Sequence, residues 1–217
     1  EEVDKVKKMK VTNGALLVTR PSTGEILSMV GSTDFFATGS GTFNVTTALR
    51  QPGSSIKPIN YAIGIDRKIV SPASVFIDAP SCFVAAGQPK AYCPVNYDGT
   101  YRGPVQLRFA LGNSLNIPAV KMLAKNTVED FVASSSGFLI KSFKNPKRYG
   151  LSLTLGGGEL TMIEMAQAFS AFANEGTPRE LVSILKVTDK NGKVLYEEIR
   201  KINPRIKVIF ISGYSAD

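Results

Sequence analysis

From residue 71 to residue 103 the chain is so dense in Pro, Gly, Asn and Asp that a long irregular excursion is expected there. An irregular stretch of that length inside a compact domain is usually functional or stapled in place. It carries both cysteines, Cys82 and Cys93, at the ends of CFVAAGQPKAYC. Their spacing fits no zinc pattern, and the chain has no histidine to complete such a site. They are therefore either two free thiols or one disulfide formed in an oxidising compartment.

Regular structure is expected on both sides of this stretch. Gly14 to Arg20 and Glu25 to Gly31 read as strands joined at Pro21-Ser22-Thr23-Gly24, a β-hairpin. Residues 32–53 read as loop, and Ser54 to about Asp66 as a helix. From Pro104 helical signals return, over Val105 to Leu111 and Ile117 to Lys125 around GNSLN. A weaker helix is expected over Val128 to Ser142, with Gly137 inside it. Thr161 to Asn174 is the clearest helix. Thr161 and Glu164 form a T-x-x-E capping box, and Gly176 and Pro178 end it. Ile163, Ala166, Phe169 and Phe172 recur at helical spacing and are expected to form its buried face. Leu181 to Thr188 and Lys193 to Glu197 are expected to pair as a second hairpin about Asp189-Lys190-Asn191-Gly192. A last strand is expected over Lys207 to Ile211.

At 217 residues and 43% apolar composition, the chain can bury one good-sized core. Its longest apolar runs, such as VIFI at 208–211, are too short to span a bilayer. The start, EEVDKVKKMK, is no signal peptide and reads as an exposed helix or linker. A membrane anchor is expected only outside these residues. The net charge of +8 reads as a solvated basic surface, which would also suit a polyanionic cell surface. The lysines and arginines are scattered and no recognition motif accompanies them, so a nucleic-acid partner is not expected.

The absence of histidine decides the chemistry. No Ser-His-Asp or Cys-His triad can form. A serine nucleophile must then borrow a lysine whose amine is made basic at working pH by burial or a neighbouring cation. Residues i and i+3 of a helix share a face, about 5–6 Å apart between Cβ atoms, so Ser-x-x-Lys at a helix start meets the need. A chain of this size shows about one such pattern by chance. The second copy here, Ser183-Ile184-Leu185-Lys186, falls in an expected strand, where an odd offset puts side chains on opposite faces. The first, in RQPGSSIKPINYA, puts Ser54 just after the Pro52-Gly53 turn, at a helix N-terminus that favours a developing anion. Only Ser54, and not Ser55, has a lysine, Lys57, three residues ahead. The plainer alternative is an N-cap serine beside a solvated lysine.

Asn113-Ser114-Leu115-Asn116 sits at a break between two helical stretches. In an extended or turn segment Ser114 and Asn116 point the same way, a hydroxyl and an amide able to relay a proton and hold a carbonyl. An ordinary Asn/Ser turn is the alternative.

These stretches together resemble the transpeptidase domain of the penicillin-binding proteins, especially the bifunctional class A type. RQPGSSIKP resembles that family's nucleophile motif and GNSLNIPAVKM its Ser-x-Asn motif. GALLVTRPSTGEILSMVG, CPVNYDGTYRGPVQLRFAL, LTLGGGELTMIEMAQAFSAFANEG and KVTDKNGKVLYEE also match, over roughly residues 11–198. The resemblance implies an α+β, β-lactamase/transpeptidase-like fold, a helical cluster packed on an antiparallel sheet. It implies Ser54 as the nucleophile toward a D-Ala-D-Ala stem peptide or a β-lactam, and Lys57 as its base. Ser114 becomes the proton relay and Asn116 a substrate-binding residue. It implies no cofactor or metal. The partners are peptidoglycan stem peptides, at the outer face of a bacterial cell membrane, which agrees with a Cys82–Cys93 disulfide.

One departure is expected to matter. The family's Lys-Thr-Gly motif does not occur in these residues. Residues 1–10 read as a leading segment, 11–199 as a partial, C-terminally truncated transpeptidase domain with its late strands missing or replaced, and 200–217 as a receiver-domain-like tail. Weak or no turnover is therefore expected. The alternative is a non-catalytic remnant or binding module. No Glu-bearing loop with a deacylating role is evident, so a serine β-lactamase is the less favoured reading.

Overall fold

A computed structural model describes residues 2–84 and 91–186. After a helical turn, α1 (Glu2–Lys5), the chain forms the expected hairpin of β1 (Leu16–Arg20) and β2 (Glu25–Val30). The strands are antiparallel, with Leu16 opposite Val30 and Arg20 opposite Glu25, and the register slips between Val18 and Thr19. Residues 32–52 contain neither helix nor strand.

The helix expected from Ser54 begins as a 3₁₀ turn, Gly53–Ile56, and continues as α2 (Lys57–Asp66) with Pro58 in its first turn. α2 is the axis of the molecule. Its Ile59 and Ile63, with Ile56 of the preceding turn, are buried against Leu123, Phe131, Val132, Leu153 and Leu160. Asn60, on the same helix and fully buried, adds a polar pin. Its Nδ2 donates to Ala119 O at 3.0 Å and Thr154 Oγ1 at 2.8 Å, and Asn126 Nδ2 donates to its Oδ1 at 2.9 Å.

The irregular excursion is less irregular than its composition suggests. It contains β3 (Val75–Asp78), antiparallel to β4 (Gly103–Gln106) with Val75 opposite Gln106. The helix expected from Val105 therefore starts later, as α3 (Leu107–Gly112). The pairing joins residues far apart in sequence, so local periodicity carries no trace of it. Cys82 and Cys93 form a disulfide, and Phe83 pairs with Tyr92 beside it. The free-thiol alternative is thereby excluded.

α4 (Asn116–Asn126) and α5 (Val128–Ser135) follow. The helix expected to reach Ser142 stops early, in a 3₁₀ turn Ser136–Phe138, because Leu139 takes a left-handed conformation at φ 62°. α6 (Met162–Ala173) has the expected capping box. Glu164 N donates to Thr161 Oγ1 at 3.0 Å and Thr161 N to Glu164 Oε2 at 2.9 Å.

The buried face of α6 differs from the expected one. Ala168 and Ala171 are its fully buried apolar residues, whereas Phe169 and Phe172 are 40% and 47% exposed. Residues 162–173 are apolar on almost every side, so two stripes compete. The small one packs inward, where alanines let the backbone approach closely. The phenylalanines gather on the surface with Phe138, ring centroids 5.7–6.0 Å apart.

After α6, Val182 bridges Glu25 in parallel, but residues 183–186 form no strand. The remainder of the expected second hairpin and the strand over Lys207 to Ile211 lie outside the described residues. The architecture is α+β, with helices and, among the described residues, two small antiparallel sheets. No helix among the described residues is long and apolar enough to cross a membrane.

Candidate active site

The turn that carries Ser54 is held from three sides. Gly53 takes φ +59°, open only to residues that tolerate a left-handed backbone. Arg50 N donates to Leu160 O at 2.9 Å and Leu160 N returns to Arg50 O at 3.0 Å, clamping the chain just before the turn. Gly156, at φ +91°, presses its backbone onto Gly53, and a Cβ there would come within 2.3 Å of the Gly53 nitrogen. Ser54 and Ser55 are exposed. Ser55 Oγ donates to Pro52 O at 2.6 Å, which ties it to the turn. Among the described residues, Ser54 Oγ has no hydrogen-bond partner, so it can rotate about χ1 without breaking one.

Lys57, one turn further on, points inward and is 1% exposed. Its ammonium donates to Ser114 O at 2.6 Å, Ser114 Oγ at 3.2 Å and Asn116 Oδ1 at 2.7 Å. Burial lowers its pKa from 10.5 to about 8. Of the three partners only the Ser114 hydroxyl can also donate. When Lys57 is neutral, two N–H groups suit the carbonyl oxygens and the lone pair suits Ser114 O–H.

Ser114 owes its position to the end of α3. Ser114 N donates to Leu111 O and Leu115 N to Ala110 O, both at 2.9 Å, a Schellman motif. Ser114 fills the left-handed position of that motif, at φ 52°, where glycine is the usual residue. Asn116 opens α4. Its Nδ2 donates to Val95 O at 2.7 Å. Carbonyl and ammonium have no ambiguity of role, so the amide must face Val95 with its NH₂ and Lys57 with its oxygen.

The structure thus brings Ser114 and Asn116 onto the Lys57 ammonium, and leaves Ser54 exposed one turn earlier without a bond to Lys57. Cys82 and Cys93 pair with each other, and Cys93 lies two residues before Val95, whose carbonyl accepts from Asn116 Nδ2. Sequence reasoning missed Gly156 and the Val95-Asn96 segment. The GGG run at 156–158 was the available signal for a tight approach, and Val95 and Asn96 lay inside the stretch expected to be an irregular excursion. Among the described residues nothing at the site asks for a metal.

Residues 14–208 match the penicillin binding protein transpeptidase domain family. The chain is 32% identical over 191 residues to penicillin-binding protein 1A of Rickettsia bellii, covering 88% of this chain and 23% of that protein. It is 34% identical over 184 residues to the Pseudomonas aeruginosa protein of the same name, covering 84% and 22%. The crystal structure of penicillin-binding protein 1A from Haemophilus influenzae superposes with a TM-score of 0.73 at 33% identity, over 84% of this chain and 26% of that one. Mycobacterium tuberculosis PonA1, at 20% identity and a TM-score of 0.69, shares the fold. The chain spans about a quarter of the length of the penicillin-binding 1A proteins it matches. With the match to that domain covering most of its length, this chain belongs to the penicillin-binding protein transpeptidase family.

Proposed function

We propose that this domain performs acyl transfer on peptidoglycan stem peptides through Ser54. The observation that carries the reading is the buried Lys57, its pKa lowered to about 8 and its ammonium shared by Ser114 and Asn116. Lys57 as neutral amine takes the Ser54 hydroxyl proton while Oγ attacks the carbonyl of a D-Ala-D-Ala peptide. The tetrahedral intermediate collapses as the ester forms and the C–N bond breaks. Ser114 accepts a proton from the Lys57 ammonium and passes its own to the departing D-alanine amine, which balances the step. Asn116 Oδ1 accepts from Lys57 and its Nδ2 donates to Val95 O, which holds the motif, and in this reading Asn116 also binds the substrate peptide. A β-lactam acylates Ser54 by the same route, with the ring nitrogen as leaving group. The domain acts outside the cytoplasmic membrane, a reading supported by the Cys82–Cys93 disulfide.

A fluorescent penicillin tests this. Covalent labelling of the folded chain, lost on Ser54→Ala, is the expected outcome; labelling that survives the change removes Ser54 from the role. A second reading, a penicillin-binding module without turnover, is favoured by one observation. The 217 residues contain no Lys-Thr-Gly, the motif that accompanies Ser-x-x-Lys in this superfamily. Release of D-alanine from a D-Ala-D-Ala peptide at rates near those of a complete transpeptidase would exclude the module reading.

A further inference from the structure

α4 starts without a cap of its own. Its N-cap residue, Leu115, is extended at φ −63°, ψ 138° and has no side-chain acceptor. The next residues would leave the Asn116 and Ile117 N–H groups unpaired, and Pro118 has none to offer. Both are met from another part of the chain. Asn96 Oδ1 accepts from Asn116 N at 2.8 Å and, more weakly, from Ile117 N at 3.5 Å. Asn96 is 3% exposed. Its own Nδ2 donates to both carboxylate oxygens of Asp78 at 2.9 Å and to Thr100 O at 2.8 Å. Asp78 is fully buried and also accepts from Arg102 N at 2.9 Å. A buried carboxylate is costly unless its lone pairs are met, so the cluster holds one arrangement or none.

Adjacent Val95 O fixes the Asn116 side chain. Residues 95 and 96 therefore grip Asn116 at both its backbone and its amide, and that amide presents Oδ1 to Lys57. We propose that Asn96, anchored by the buried Asp78 carboxylate, is a positioning residue that caps α4 in trans and sets the Ser114–Asn116 segment against Lys57. Asp78 and Asn96 flank the segment that the Cys82–Cys93 disulfide closes.

The inference rests on the acyl-transfer reading for its consequence, and on the hydrogen bonds alone for its geometry. Two measurements on the full chain separate these. The first is amide hydrogen exchange by NMR, which needs no activity. Asn96→Ala is expected to lower protection of the Asn116 and Ile117 amides about tenfold relative to those of α5, as loss of a helix cap does. Unchanged protection there overturns the proposal, whether or not the chain reacts with penicillin. The second is the rate and amplitude of fluorescent-penicillin labelling. A positioning role lowers the rate constant about 10- to 100-fold at full amplitude, whereas a purely structural role lowers only the amplitude, through the folded fraction. The Asn96→Asp/Asp78→Asn pair reverses the direction of the bond while keeping one carboxylate and an acceptor at the α4 N-terminus. It leaves Thr100 O without its donor, so it is expected to recover part of the rate and the protection lost in Asn96→Ala, and recovery of neither counts against the proposal. Where Asn96→Ala does not fold, Asp78→Asn, isosteric but with an NH₂ facing a donor in place of one acceptor oxygen, carries both measurements with effects in the same direction. Absence of labelling in the unsubstituted chain would sink the acyl-transfer reading and leave the exchange result to decide the cap.

Discussion

Gly156 and Gly53 touch backbone to backbone, close enough that a methyl group on Gly156 would overlap the Gly53 nitrogen, α-carbon and carbonyl carbon at 2.3–2.8 Å. The atoms it would meet are main chain, which cannot rotate away. Gly156→Ala must therefore shift the turn that carries Ser54, in addition to straining a residue at φ +91°. We expect a loss of more than about 2 kcal/mol in urea unfolding and slower penicillin labelling of the molecules that remain folded. Gly137→Ala, where a Cβ meets open space and φ is ordinary, is the control and is expected to stay within about 1 kcal/mol. Equal effects at the two positions would mean that the Gly53 contact does not hold the turn.

Ser114 sits where a fold alone would choose glycine. Ser114→Gly relieves the left-handed strain and adds unfolded-state freedom, two opposing effects of about 1 kcal/mol or less each. Stability is expected to change by under about 1 kcal/mol, while labelling falls by about 10² or more, the scale of a lost proton-transfer group. Retained labelling in Ser114→Gly would reduce Ser114 to an ordinary turn residue.

Lys57 sets the pH dependence. The reactive form is the neutral amine, so the labelling rate is expected to rise between pH 6 and 9 with a midpoint of about 8. Lys57→Arg keeps the cation but not the ability to lose a proton, and is expected to abolish labelling at every pH. Stability follows the same group. Its folded pKa, about 8, lies below its ordinary 10.5. Between those values the unfolded chain binds a proton that the native chain does not, so stability rises with pH across that window. Below pH 8 the full cost of burying the ammonium remains, on the order of 3 kcal/mol. Urea unfolding at pH 7 and pH 9.5, for the natural chain and Lys57→Met, isolates the term. A difference between the two proteins that does not narrow with pH would show that Lys57 is solvated in the folded state.

The candidate cluster was legible in the sequence where spacing alone fixes geometry. Ser54 and Lys57 are one turn apart whatever surrounds them, and Thr161 with Glu164 announces α6 by local chemistry. Asn96 was not legible, because its Oδ1 finds its partner 20 residues away and nothing in NYDG marks it as a cap. β3 and β4 were missed for the same reason, their partners being separated by the Cys82–Cys93 segment. The α6 face was misjudged because apolar residues recur at helical spacing on more than one side of it, and Ala168 and Ala171 are buried where Phe169 and Phe172 are not.

The supports of the site are spread along the chain in a particular order: the serine turn at residues 53–57, then Asn96, then Ser114 and Asn116, and last Gly156. A chain that emerges amino end first has its nucleophile long before it has the residue that braces it. Ser54 is a plain alcohol in that interval, with neither a seated amine nor a fixed turn. On the acyl-transfer reading proposed above, an antibiotic that acts by acylation would find its complete target only in chains whose synthesis has already passed Gly156.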